Sequence, residues 1–144
     1  MRLAIATIFM TVVLAPAWSQ VCSNATTHGT YAFVCSGFIS PAPNAPQVPF
    51  SALGTVSASF AGVFTGTAKA SIGGTIVNWS VVGTQNLNSD CTGTIAYDQK
   101  FNGQPGGQIN INYHVLDSGK EIRGMPIDQG TSIICNLRLM TRQD

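Results

Sequence analysis

Four cysteines, two histidines and a few paired polar residues are the side chains of this chain with chemistry to offer. Cys22, Cys35, Cys91 and Cys135 form no CxxC pair, and His28 and His114 lie far apart, so no metal site is expected. An even cysteine count in an exported chain reads instead as two disulfides. Glu121 and Arg123 share one parity with Met125 and Ile127. If that face points inward, a carboxylate and a guanidinium stand beside apolar residues, where they could anchor a polar ligand head or supply one catalytic acid, Glu121. A structural ion pair on the outside is the competing reading. Asn110, Asn112 and His114 form a second polar row, but the row opposite it, Ile109, Ile111, Tyr113 and Val115, is the better core, so the polar row is expected outside. No GxSxG, no Ser-His-Asp context, no useful carboxylate pair and no phosphate loop is present, and no cofactor is expected.

The elements that must position these residues are strands. From Gly29 to Met140, short segments of alternating apolar and polar residues follow one another, each closed by Gly, Asn, Asp or Pro. Eight are read: 29–38, 50–60, 63–71, 75–85, 92–98, 107–115, 120–127 and 131–139. Eight antiparallel strands joined by short turns suffice to close a small barrel. The fold class is therefore all-β, a single eight-stranded antiparallel up-and-down barrel with two disulfides, with a two-sheet sandwich as the rival. Two connections are expected to be long: Ser40–Pro49, where four prolines forbid regular pairing, and the Gly-rich Gln99–Gly106.

Parity sorts the faces. Tyr31, Phe33 and Cys35 share a side, as do Val77, Trp79 and Val81; Cys91, Ile95 and Tyr97; and Ile133, Cys135, Leu137 and Leu139. The second segment offers Ala52, Gly54, Val56, Ala58 and Phe60. In a closed meander the first and last strands are neighbours, which favours Cys35–Cys135 across the seam and leaves Cys22–Cys91; Cys22–Cys35 with Cys91–Cys135 is the alternative. The inward aromatics Tyr31, Phe33, Trp79, Tyr97 and Tyr113 either hold a flat apolar ligand or simply fill the barrel. Small residues at Ala52, Gly54, Ala58, Gly66 and Ala68 suggest a cavity on their side, and the loop from Pro41 to Pro49 is placed to cover the mouth.

The N-terminus reads as an export signal. Arg2 precedes the apolar run Leu3–Ala15, and small residues Ala17 and Ser19 precede an expected mature start at Gln20. The run is roughly 13 residues, short of the about 20 that a membrane span needs. A signal over 1–19 leaves one domain, 20–144, secreted or periplasmic. Charged residues are only 9% of the chain, which argues against nucleic acid or anionic membrane as a partner, and nothing sets an oligomeric state. Asn24-Ala25-Thr26 and Asn78-Trp79-Ser80 match the glycosylation sequon, which counts only in a eukaryote.

Three phrases carry a resemblance: Cys22-Ser23-Asn24-Ala25-Thr26 leading into Gly29-Thr30-Tyr31-Ala32-Phe33, Asp90-Cys91-Thr92-Gly93-Thr94, and Gly119-Lys120-Glu121-Ile122-Arg123-Gly124. Together they resemble a group of small secreted bacterial β proteins over nearly the whole mature chain. The resemblance implies a shape, a calycin-like barrel similar in outline to lipocalins and the allene oxide cyclase barrel, and no activity. Three functions remain open: a non-catalytic binder of a small apolar molecule contacted by the inward aromatics with Glu121 and Arg123 at the polar end; a barrel cyclase or isomerase; or a surface or matrix protein with a filled barrel.

Overall fold

A computed structural model describes residues 21–42 and 44–142. The expected leader, 1–19, and the expected mature start lie outside the described residues. Eight strands form one closed antiparallel barrel in sequence order: β1 (Gly29–Ile39), β2 (Val48–Ala58), β3 (Val63–Ile72), β4 (Thr75–Leu87), β5 (Thr92–Phe101), β6 (Gln104–Leu116), β7 (Glu121–Pro126) and β8 (Thr131–Thr141). β8 returns to pair with β1, so no sheet edge runs the length of the molecule.

Alternation is what makes these segments strands, and in most of them, β7 excepted, the more apolar row turns inward. Phe33, Cys35, Val56, Trp79, Val81, Ile95, Tyr97, Tyr113, Ile133 and Leu137 all belong to the buried core. Cys35 and Cys135 face each other in register across the seam, and their sulfurs are bonded, with Cα atoms 4.1 Å apart. The second bridge is Cys22–Cys91. Two disulfides fit an oxidising compartment. No helix among the described residues is long and apolar enough to cross a membrane.

Two expectations are corrected. Gln99–Gly106 is not a long loop: β5 runs on to Phe101, Asn102 and Gly103 turn at φ 50° and 83°, and β6 begins at Gln104. Asn102 anchors the turn by accepting a 2.8 Å hydrogen bond from the Asn78 amide through its side chain. Pro105 is tolerated because it sits next to a register shift and on a stretch of β6 that pairs only with β5; pairing with β7 starts at Ile111. Phe60 is not a core residue either. β2 ends at Ala58, and the turn closed by the Gly62 amide on the Ser59 carbonyl carries Phe60 outside, stacked on buried His28 with ring centroids 3.6 Å apart.

The two ends of the barrel differ. One is sealed by the N-terminal segment, whose 3-10 turn Asn24–Thr27 lies across it. Asn24 accepts from the Leu87 amide (3.0 Å), and Gln85 donates to the hydroxyl of fully buried Thr27 (2.7 Å). Cys22–Cys91 pins this plug covalently. Tyr31 closes the inside by donating to the Gly119 carbonyl (2.7 Å), and Arg142, just past β8, donates to the Ser118 carbonyl (3.0 Å).

Buried phenols give the fold an alkaline limit. Burial first, and Asp128 second, hold the Tyr97 hydroxyl well above its ordinary pKa of 10.0; burial first, and Tyr31 second, do the same for Tyr113. Both are raised in the folded state, so the unfolded chain loses protons first. Their contribution is intact below pH 10 and is lost as pH climbs above it. Denaturant midpoints should therefore be flat between pH 7 and about 9.5 and fall steeply above about 10.5. Phenolate absorbance that rises at pH 10 without unfolding would contradict this.

Candidate functional site: the open mouth

The other end is not sealed. There the barrel holds a cavity of about 880 Å³ that opens between the β1–β2 and β7–β8 loops. That volume lies within the range of about 300–1,000 Å³ usual for small-molecule sites. Its walls come from strand ends: Phe50 of β2, Trp79 of β4, Tyr97 and Phe101 of β5, Ile109 of β6 and Ile133 of β8. Pro41, Ala42 and Asn44 from the proline-rich loop form part of the rim, so this loop does border the mouth.

The opening follows from the shortness of β7. Its six residues end at Pro126, opposite Ile111, while β6 extends seven residues further, back to Gln104. The wall between β6 and β8 is completed at this end by the loop after β7 rather than by strand. Asp128 holds that loop in place: its carboxylate accepts from the Asn110 amide (2.7 Å) and from the Asn110 side chain (3.1 Å). Ile127 donates to the Asn110 carbonyl (3.0 Å), and Ser40 donates to the Gly130 carbonyl (2.9 Å), joining the two rim loops.

Trp79 is the centre of the floor. Phe33 and Phe50 meet it edge-on, each at 5.8 Å; Phe101 stacks at 6.4 Å and Tyr97 lies at 6.3 Å. Such pairs hold one another's orientation, so the ring is set before any ligand arrives. Its Nε1–H donates to Gln99 (3.1 Å), and Gln99 donates in turn to the Gly106 carbonyl (3.1 Å).

Of the aromatics expected to touch a ligand, Trp79 and Tyr97 line this cavity. Phe33 lies beneath, against Trp79. Tyr31 and Tyr113 are packed in the core, at 1% and 2% exposure, and do not line the mouth. Beneath the floor a small gap of about 40 Å³ is lined by Tyr113 and by apolar groups such as Val56, Phe64 and Ile95, far too small for a ligand. The small residues of β2 and β3 do not border the cavity; Phe33 stands opposite Gly54 and Trp79 opposite Ala68, so large rings take up the space they leave.

Glu121 and Arg123 are corrected. They point outward, 21% and 61% exposed, and pair with each other (Arg123 Nε to Glu121 Oε1, 2.7 Å). Ile122, 3% exposed, takes the inward position, with Gly124 and Pro126 following it. Glu121 therefore reaches no interior molecule. Asn112 and His114 are exposed on the outer face, while Asn110 serves the Asp128 anchor.

Three mouth residues were not singled out from sequence. Phe50 shares parity with Ala52. Phe101 continues the Ile95, Tyr97 row and was readable as such once the strand is carried past Gln99. Asp128 stands in an ordinary Asp-Gln-Gly turn, and nothing local marks it. Among the described residues no group of three His, Cys, Asp or Glu side chains is placed to hold a metal ion.

The fold and the cavity together define a class: a disulfide-bridged, eight-stranded antiparallel barrel, sealed at one end and open at the other. No protein-family model matches the chain, and no curated protein or solved structure is matched either.

Proposed function

We propose that this is an exported, non-catalytic binder of a small, largely apolar molecule held in the open mouth. The carrying observation is the ligand-sized cavity floored by Trp79 and walled by Phe50, Tyr97 and Phe101 at one end of a barrel otherwise packed. A filled scaffold has no need of such a space, and rings oriented in advance cost little entropy when a flat molecule binds. A cyclase or isomerase is disfavoured. Glu121 lies outside, and among the described residues Asp128 is the one carboxylate lining the mouth, with no second carboxylate, His or Lys there to complete an acid–base pair. Export is supported by the leader-like sequence of residues 1–19 and by two disulfides. The up-and-down topology supports the calycin-like reading of the shape.

The test is titration with Nile red, a neutral flat fluorophore, on the natural protein and on Trp79→Leu. The natural protein should bind and brighten the dye, and the variant, still folded by circular dichroism, should bind it about tenfold more weakly, which is about 1.4 kcal/mol. Equal affinity in both would remove the mouth as the site.

A further inference from the structure

We infer that the mouth selects a flat organic cation, an aromatic amine or quaternary heterocycle, over neutral and anionic molecules of the same shape. This rests on the small-molecule reading above and names the ligand class of that site. Among the residues lining the cavity, Asp128 carries the only formal charge, and no Lys, Arg or His lines it. Among the described residues the cations stand elsewhere: Lys69, Lys100, Lys120, Arg123 and Arg142 are exposed, and Arg138 lies outward on β8, opposite Glu121. An anion entering the mouth meets a carboxylate and the electron-rich faces of aromatic rings with nothing to neutralise it.

A cation meets the opposite conditions. Each carboxylate oxygen of Asp128 accepts one hydrogen bond from Asn110, which leaves each with further accepting capacity. The anchor therefore fixes the charge at the rim without consuming it. Trp79, Tyr97 and Phe101 line the cavity, and aromatic rings draw an ammonium or heteroaromatic cation that comes over them. Burial together with the Asp128 charge keeps the Tyr97 phenol protonated, so no second anion competes. A positive charge leaving water needs a partner, and the mouth offers one at a fixed place beside the rings.

The test measures three acridines at pH 8 on the full protein: 9-aminoacridine as cation, acridine as neutral isostere and acridine-9-carboxylate as anion. The expected order is cation, neutral, anion, with 9-aminoacridine bound at least about tenfold tighter than acridine. Asp128→Asn should shrink that ratio to about threefold or less, and Asp128→Glu, which keeps the charge, should preserve most of it. The natural-protein ratio decides the matter even if the Asn variant loosens the rim loop. Acridine binding as tightly as 9-aminoacridine would overturn the cation preference and leave the small-molecule reading standing. Binding of none of the three would overturn the cation preference, and failure of Nile red as well would then overturn the small-molecule reading.

Discussion

The double variant Cys35→Ala/Cys135→Ala should lose about 4 kcal/mol of unfolding free energy, and on the order of 10–15 °C in midpoint temperature. The bridge joins residues 100 apart in sequence, across the seam where β8 closes on β1. With Cys22–Cys91 intact, the shortest covalent path between the two cysteines is still about 60 residues, and freeing a loop of that size in the unfolded chain accounts for most of the effect. The sulfurs are buried, so alanine adds a small packing loss. Urea denaturation of the variant beside the natural protein measures this directly. A loss below about 1 kcal/mol would mean that hydrogen bonding and packing alone hold the seam, and that the unfolded-chain argument fails here.

Gly83→Ala should be nearly as damaging, by about 3 kcal/mol, for a different reason. Gly83 lies in β4 between Phe64 of β3 and Tyr97 of β5, directly opposite both in register. A methyl group there would stand 2.1 Å from the Ala96 carbonyl oxygen and 2.6 Å from the Tyr97 Cα. Those are backbone atoms, so the collision is relieved only by separating β4 from β5, which costs ladder hydrogen bonds. The close approach also lets the Phe64 and Tyr97 rings meet at 6.2 Å over the glycine. Because Tyr97 lines the mouth, the variant should also weaken Nile red binding. An unchanged thermal midpoint would show that the strands can part here at little cost.

Much of the fold was legible because most strands state their parity twice. In β4, β6 and β8 the inward row is apolar, and the outward row, although it includes Ile76, Val82 and Ile134, also carries Asn78, Asn110, Asn112, Asn136 and Arg138, so a one-residue slip would bury Asn or Arg. The seam disulfide followed from the same logic, since closure makes β1 and β8 neighbours.

The facing of β7 stays open in the sequence because the strand is short and its rows are mixed. Its inward row is Ile122, Gly124 and Pro126, while Met125 and the following Ile127 lie outside, so an apolar count points the wrong way. What places Gly124 inside is a tertiary contact: a Cβ there would stand 2.9 Å from Ile111 Cγ2. The mouth itself was only half legible. Trp79 and Tyr97 follow from alternation, but the cavity depends on β7 ending early and on Asp128 reaching Asn110, eighteen residues back in the chain. Neither leaves a local sequence pattern.

Native mass spectrometry of the protein, purified gently from its own source and compared with its denatured mass, shows whether the mouth carries a small molecule. The expected result is a small-molecule adduct of one per chain, lost on denaturation and depleted in Trp79→Leu prepared the same way. A bare chain, with neither Nile red nor 9-aminoacridine adding mass when supplied in excess, would contradict it.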